Sequence, residues 1–141
     1  SKVLFNNKDG NGTDGRIEIY NEYGDTKKLG ADYSDLSFNS YMIVDFTISG
    51  IDGNLIDGAS KSYKTELSYA ASGWSPAYWG GTTAAAAKVT GDGSYEVWAP
   101  ISGNASGAVV WTIELYNLWK DLKDNTKVKA TIDKVIIPGK K

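Results

Sequence analysis

The chain has 141 residues, the usual size of one domain, and enough to bury a hydrophobic core without disulfides or metals. Cysteine and histidine are both absent, which excludes disulfide frameworks, thiol catalysis, a Ser-His-Asp triad and the common zinc sites. A net charge of −2 gives no basic field for nucleic acid, and no apolar run approaches the ~20 residues of a membrane span, so we expect neither partner.

Alternating apolar and polar residues, separated by turns rich in Gly, Asn and Asp, predict at least seven β-strands. A short segment with helical spacing, Asn117 to Asp124, lies between the last two strands and predicts a short helical turn. The whole pattern predicts an all-β, antiparallel β-sandwich of the jelly-roll type. In chain order, the predicted strands are Lys2 to Phe5, Arg16 to Tyr20, Tyr41 to Ser49, Tyr63 to Tyr69, Lys88 to Thr90, Ser94 to Ile101, Val109 to Tyr116 and Lys127 to Ile137.

The domain is expected to cover residues 1–141, because no linker or internal repeat divides the chain. It begins at Ser1 without an initiator Met or the apolar core of a signal peptide. Pro138 and Gly139 close the last predicted strand and read as the beginning of a linker. We therefore expect this domain to come from a longer polypeptide.

Aromatic residues are concentrated between Gly73 and Gly81, in the sequence GWSPAYWGG. Gly, Ser and Pro there indicate a loop or a bulged edge, and aromatic side chains on a loop form exposed patches that bind ligands. A pyranose ring has an apolar C–H face, for which an indole is a good flat partner. Trp74 and Trp79 are therefore candidate sugar contacts, with the alternative that one of them folds back over the core.

Strand parity assigns a face to another tryptophan, Trp98. In its predicted strand, Tyr95, Val97 and Ala99 share one face, which leaves Trp98 on the opposite face beside Glu96. Core packing does not require an aromatic side chain there. Trp98 is therefore a third candidate surface for sugar stacking.

The next strand separates a core tryptophan from polar candidates. Trp111 shares an apolar face with Ile113, whereas Glu114 and Tyr116 face the other way and could hydrogen-bond to sugar hydroxyls. Trp119 follows in the helical turn, where it could either extend the aromatic surface or cap the core. The pattern predicts Trp111 in the core, and Glu114, Tyr116 and Trp119 as further candidate site residues.

Five sequence segments, spread over nearly the whole chain, resemble a known family. They are RIEIYNEYGDT, DLSFNSYMIVDFTISGIDGN, YKTELSYAASGWSPAYWGG, VTGDGSYEVWAPI and VVWTIELYNLWKDLKDNTKVKATIDKVII. In this order, they resemble the β-sandwich carbohydrate-binding modules attached to glucanases of fibre-degrading gut bacteria. The similarity is to modules for β-1,4-glucans, mixed-linkage glucans or xyloglucan, in the numbered families around 65, 79 and 80.

The resemblance implies a function without catalysis. Such modules bind a β-glucan polysaccharide through two or three tryptophans and target an attached glycoside hydrolase in the same polypeptide to its substrate. The matching positions are Trp74 and Trp79, with Trp98 or Trp119 as the further aromatic, although a polar residue is more usual at Trp98. The family resemblance also implies a secreted, extracellular protein, which we expect to be a monomer.

Two alternative functions remain at this stage: a small jelly-roll β-glucanase and a protein-interaction β-sandwich. Glu18, Tyr20 and Glu22 are spaced to share one strand face, as carboxylates of some glucanases do. Residues four apart on a strand are separated by roughly 13 Å, however, far more than the ~5 Å of a retaining pair. We therefore expect no enzyme activity, and Glu18 and Glu22 at a solvated strand edge.

The loop from Asp9 to Asp14 has oxygen-bearing side chains at alternate positions, as calcium loops do. It lacks the glycine at the sixth position and the closing glutamate of such loops. An ordinary turn is the expected structure. No cofactor is predicted, with a structural calcium ion as the alternative.

Overall fold

A computed structural model describes residues 2–24, 37–75, 77–78, 87–106 and 108–136. Within them, a large β-structure is accompanied by one helical turn, α1 (Leu118–Asp121), and by 3-10 turns at Lys8–Gly10, Ser72–Trp74 and Asn125–Lys127. None of the helices described here is long and apolar enough to cross a membrane. The strands are β1 (Lys2–Asn7), β2 (Gly15–Asn21), β3 (Ser37–Ser49), β4 (Tyr63–Ala71), β5 (Ala77–Tyr78), β6 (Lys88–Val89), β7 (Gly93–Ser106), β8 (Ala108–Leu115) and β9 (Lys129–Ile136).

The strands pair in the order β5-β4-β8-β2-β1-β9-β3-β7, with β6 added to β4, and every pairing is antiparallel. Strand β1 joins the two halves, because Lys2 and Val3 pair with β9 whereas Leu4 onward pair with β2. We call β2, β8, β4 and β5 sheet I, and β9, β3 and β7 sheet II. The long strands that follow β1 alternate between the sheets, which is jelly-roll winding, so the predicted fold class is confirmed.

The core lies between the sheets and is built from alternate residues of the long strands. In β3, Met42, Val44, Phe46 and Ile48 are each at most 1% exposed, because every second side chain points to the same face. Trp111 of β8 is completely buried in the same core, as the sequence pattern predicts. The intervening residues of β3 and β8 therefore form the outer faces of the sandwich.

The predicted strands match the observed ones to within a few residues at most ends. Strand β3 begins earlier than predicted, at Ser37, and β9 begins at Lys129 after a 3-10 turn. The sequence did not predict β5, a two-residue strand that pairs with Tyr69 and Ala70 of β4. Glycine, serine and proline surround β5, and its pairing depends on the neighbouring edge of β4 rather than on local propensity. The predicted helical turn is observed as α1. The predicted beginning of a linker falls on residues 137–141, which lie outside the described ranges.

A β-bulge in β2 overturns the prediction for the carboxylates of that strand. Glu18 lies opposite Thr112 of β8, but Tyr20 lies opposite Trp111, so the register shifts between them. Tyr20 therefore points into the core while Glu18 points outward, and the two do not share a face. Glu18 is also 2% exposed, so the expectation of a solvated edge is wrong for Glu18 and holds for the exposed Glu22.

Asp121 of the helical turn is hydrogen-bonded to the loop that follows β3 and to the start of β4. Its carboxylate is 2% exposed and accepts hydrogen bonds from the Tyr63 hydroxyl at 2.9 Å, the Ser60 backbone N–H at 3.1 Å and Lys120 Nζ at 2.9 Å. Burial by itself would raise the pKa of Asp121, but the hydrogen bonds from these donors lower it below the usual value. The ionised carboxylate therefore stabilises this end of the sandwich.

We predict that Trp111→Ala lowers the free energy of unfolding by about 3–5 kcal/mol, because it leaves a large cavity in a core that cannot fully collapse. For a domain of this size, the melting temperature should fall by roughly 10 °C or more. Calorimetry measures both. Trp74→Ala is the matched control, since Trp74 is 46% exposed and its removal leaves no core cavity. Equal melting temperatures for the two variants would contradict the assignment of faces.

Asp121→Asn should destabilise the protein at neutral pH, and the difference from wild type should shrink in acid. Because the folded-state pKa is lowered, the carboxylate stabilises the fold above the unfolded pKa of ~3.9, and this stability is lost as pH falls through the folded pKa. Urea unfolding of both proteins at a series of pH values from 7 into the acid range measures this difference. Asp57→Asn, at an exposed position of the same loop, is the control. A difference that grows in acid would refute this role of Asp121.

Candidate functional site

The outer face of sheet I carries a depression of about 550 Å³. Outward-facing residues of β2, β8 and β4 form its floor, and side chains from the turns after β1, β2 and β4 form its walls. Loops thus meet a rigid sheet at one place, which is a common arrangement for binding sites. The lining residues are Lys8, Asp9, Arg16, Asn21, Tyr23, Ser68, Trp74, Val110, Thr112 and Glu114.

A stacked pair of aromatic rings, Tyr23 and Trp74, forms one wall. Their ring centroids are 6.3 Å apart and their planes differ by 8°. Tyr23 is 73% exposed and Trp74 is 46% exposed, so both rings contact solvent. The Tyr23 backbone N–H donates to Asn21 Oδ1 at 3.0 Å, which fixes the turn that carries the phenol. Two nearly parallel rings beside a depression offer the flat apolar surface that a sugar face requires.

Trp74 reaches this position through an unusual backbone. The 3-10 turn Ser72–Trp74 follows β4 directly, and its φ angles are 76° at Gly73 and 61° at Trp74. A left-handed conformation is uncommon for a residue with a bulky side chain, and such outliers cluster at ligand sites. The sequence prediction that Trp74 is an exposed loop aromatic is therefore confirmed by its position and exposure.

Glu114 lies in the floor and is 4% exposed. Its Oε2 accepts a hydrogen bond from Lys8 Nζ at 2.7 Å, while its Oε1 is buried and receives none from the part of the chain described. Burial raises the pKa of the Glu114 carboxyl, the Lys8 ammonium opposes that shift, and a hydrogen bond with Asp14 adds to it. Glu114 therefore fixes Lys8 beside the depression, and its own carboxylate is largely covered by the floor.

Arg16 is held in place beside Glu114 by a second charged pair. Its Nη2 lies 3.0 Å from Glu18 Oε2, and its Nε donates to Asn6 Oδ1 at 3.0 Å. Asn6 in turn donates to Glu18 Oε2 at 3.2 Å. Arg16 keeps 20% of its side chain exposed towards the depression, so it can donate to a ligand without changing its partners. The floor is thus pre-organised.

Tyr116 lies on the same face but outside the lining of the depression. Its hydroxyl donates to Glu66 Oε2 at 2.8 Å, and Lys64 Nζ lies 3.0 Å from Glu66 Oε1. Burial and the bonded Glu66 raise the pKa of Tyr116 far above its usual value. The Tyr116 hydroxyl therefore holds Glu66 and does not line the depression. Glu66 lies opposite Glu114 in the register of β4 and β8.

The remaining predicted tryptophans do not join this site. Trp98 points outward from sheet II, on the opposite side of the sandwich, and Trp119 packs on Phe5 with ring centroids 5.5 Å apart. Trp119 thus contacts Phe5, a partly buried residue that packs against the core, and does not line the depression on sheet I. Trp79 lies outside the described residues. The structure therefore brings Trp74 and Glu114 together around one depression, and Trp98, Trp119 and Tyr116 lie outside its lining.

Sequence reasoning missed Tyr23, Arg16 and Lys8 in this site. The turn NEYG at Asn21 to Gly24 marks Tyr23 as an exposed turn residue directly after a strand, and that signal was available. Arg16 and Lys8 carried no comparable signal. Their positions depend on the register between β1, β2 and β8, which brings residues distant in the chain to one face.

The loop from Asp9 to Asp14 uses its oxygen atoms to hold its own backbone. Asn11 Oδ1 accepts from the N–H groups of Thr13 at 2.9 Å and Asp14 at 3.0 Å, and Asp14 Oδ1 accepts from the Asn117 N–H at 2.8 Å. Within the ranges that the structure describes, no group of three or more His, Cys, Asp or Glu side chains could hold a metal ion. The structural calcium ion stays an untested alternative.

Comparisons of this chain with protein-family models, with curated proteins and with solved structures gave no significant match. The resemblance to carbohydrate-binding modules therefore stays a prediction that depends on the sequence phrases themselves.

Glu114→Gln should change how stability depends on pH. Because the folded-state pKa of Glu114 is raised, its ionisation opposes folding, and stability falls as pH rises from the unfolded value of ~4.3 through the folded pKa. The stability of wild type minus that of the variant should therefore decrease between about pH 4 and 7.

Chemical denaturation at several pH values measures this difference. Glu22→Gln, at an exposed position beyond the same sheet, is the matched control. A wild-type advantage that increases with pH would show that the Lys8 ion pair outweighs burial, which would contradict the prediction.

Proposed function

We propose that this chain is a non-catalytic carbohydrate-binding module that binds a neutral plant cell-wall β-glucan in the depression on sheet I. The observation that supports this most is the stacked pair of Tyr23 and Trp74, exposed beside a floor of fixed hydrogen-bonding groups. Apolar flat walls with a few convergent polar groups are the usual composition of a ligand site. The resemblance described above favours β-1,4-glucan, mixed-linkage glucan or xyloglucan as the ligand.

The two parts of the site match the two kinds of surface on a sugar ring. The C–H face stacks on an aromatic ring, and burying about 60–80 Å² of apolar surface contributes about 1.5–2 kcal/mol. The hydroxyls at the ring edge need donors and acceptors, which Arg16 and the polar lining residues Asn21 and Thr112 supply. Stacking thus gives affinity, and the floor selects the arrangement of hydroxyls.

The charges of the site favour a neutral ligand over a polyanion. Lys8 is paired with Glu114, and Arg16 is paired with Glu18 and lies 3.6 Å from Asp9. These basic groups are thus neutralised within the protein, and the net charge of the chain is −2. A charged polysaccharide would have to break those ion pairs, whereas a neutral glucan would only add hydrogen bonds to them.

In the proposed role, the module holds an attached glycoside hydrolase against its polysaccharide outside the cell. Binding of this kind raises the local concentration of the enzyme at the substrate without any chemistry by the module. This part of the proposal depends on the family resemblance.

One observation favours a second candidate function, glycoside hydrolysis. Glu66 and Glu114 lie directly opposite each other on β4 and β8, and facing residues have Cβ atoms about 4.5–5.5 Å apart, close to a retaining pair. However, Glu66 is bonded to Lys64 and Tyr116 and does not line the depression, so it is not placed to attack a sugar bound there. Reducing-sugar assays should detect no turnover. Turnover that disappears in Glu114→Gln would favour hydrolysis instead.

Calorimetric titration with cello-oligosaccharides, mixed-linkage glucan and xyloglucan tests the proposal. We expect a dissociation constant of roughly 10–100 μM for the preferred glucan. Trp74→Ala should weaken binding by about 1.5–3 kcal/mol, and Tyr23→Ala should also weaken it, because each change removes one ring of the stack. Ile56→Ala is the control, since Ile56 is 41% exposed but does not line the depression.

Wild-type affinity in Trp74→Ala would contradict this site. Binding should also be nearly the same from low salt to about 1 M NaCl, because no counterions are released when a neutral ligand binds. Strong weakening by salt would instead indicate a charged polymer as the ligand.

A further inference from the structure

The outer face of sheet II carries a second aromatic patch. Trp98 of β7 lies directly opposite Ile43 of β3, and these two residues together with Tyr41 and Glu96 line a shallow depression of about 360 Å³. Tyr41 is 38% exposed. Outward positions of a strand do not contribute to the core, so core packing does not explain an indole and a phenol close together there. Exposed apolar patches of this kind mark interaction sites.

The patch ends where the same face becomes polar. Further along β3, Thr47 Oγ1 lies 2.9 Å from Ser94 Oγ and donates to Asp133 Oδ2 at 2.6 Å. These groups satisfy one another across β7, β3 and β9. The aromatic patch is therefore a local feature at one end of sheet II and does not continue along the whole face.

A pair of carboxyl groups lies beside the aromatic rings. Asp45 and Glu96 are directly opposite in the register of β3 and β7, and Asp45 Oδ1 is buried and accepts no hydrogen bond from the described residues. A hydrogen bond with Asp45 raises the pKa of Glu96 above its usual value. The exposed Glu96 carboxylate offers acceptor oxygens next to an apolar surface.

The chemistry of this patch selects a neutral, hydroxylated ligand. Among the described lining residues, the one that carries a charge is the acidic Glu96, so a polyanion or an anionic lipid surface would be repelled. The rings match the C–H face of a sugar, and the Glu96 carboxylate can accept from a neighbouring hydroxyl. Because the depression is shallow, it suits the flat side of an extended chain rather than an enclosed residue.

We propose that Trp98, Tyr41, Ile43 and Glu96 form a second binding site for the same neutral β-glucan. This inference depends on the proposed function of the sheet I depression. The two sites lie on opposite outer faces of a sandwich whose sheets pack about 10 Å apart, so a single short glucan segment cannot contact both. The module is therefore bivalent and connects two glucan chains.

Two readouts test bivalency in the full chain. Cellohexaose titration should give two sites for wild type, one for Trp98→Ala, one for Trp74→Ala and none for the double variant. Light scattering with soluble high-molecular-weight mixed-linkage glucan should rise on addition of wild type, because two sites cross-link polymer chains. Neither single variant should produce that rise.

Tyr41→Ala gives a second test that removes less of the sheet surface than Trp98→Ala. We expect it to weaken the second site by roughly tenfold, with a melting temperature near that of wild type. Glu22→Ala is the matched control, because Glu22 is exposed and lies outside both depressions.

The outcomes separate this inference from the proposed function. One site in wild type, with unchanged binding in Trp98→Ala and Tyr41→Ala, overturns the second site and leaves the first intact. Absence of glucan binding by wild type overturns the proposed function and, with it, the second site. Residual binding in Trp74→Ala that disappears when Trp98→Ala is added supports the second site directly.

Discussion

The two-residue alternation of the long strands is the constraint on which the rest of this structure depends. Each strand places one set of side chains between the sheets and the other set on an outer face. In β8, this puts Trp111 into the core and Glu114 on the floor of the sheet I depression. The packing that stabilises the protein and the surface that holds the proposed site are thus set by alternate residues of the same strands, and neither can shift without the other.

The site combines a rigid floor with walls on turns. The floor residues Arg16 and Glu114 lie on paired strands, and their ion pairs fix them before any ligand arrives. The wall residues Tyr23 and Trp74 come from turns at the ends of β2 and β4 and hold each other by stacking. A pre-organised floor lowers the entropy lost on binding, which matters for a site whose stacking contribution is only a few kcal/mol.

Strand parity predicted the fold and the face on which individual residues lie. It could not predict which strands pair with each other or in which register. The outward position of Trp98 and the burial of Trp111 followed directly from alternation within one strand. The separation of Trp98 from Trp74 did not, because it depends on which sheet each strand joins. Glu18 was misjudged because β2 lies between β8 and β1 and is not an edge strand. The bulge after Glu18 turns Tyr20 to the other face, and such a bulge has no clear signal in the sequence.

The indole N–H resonances of the five tryptophans offer the most direct measurement, because each reports on one side chain as glucan is added. Our account predicts that the Trp74 resonance shifts first and that Trp98 shifts as well. Trp111 and Trp119, which pack within the core and on Phe5, should keep their positions. Shifts confined to Trp111 and Trp119, with Trp74 unchanged at saturating glucan, would contradict a site on the outer face of sheet I.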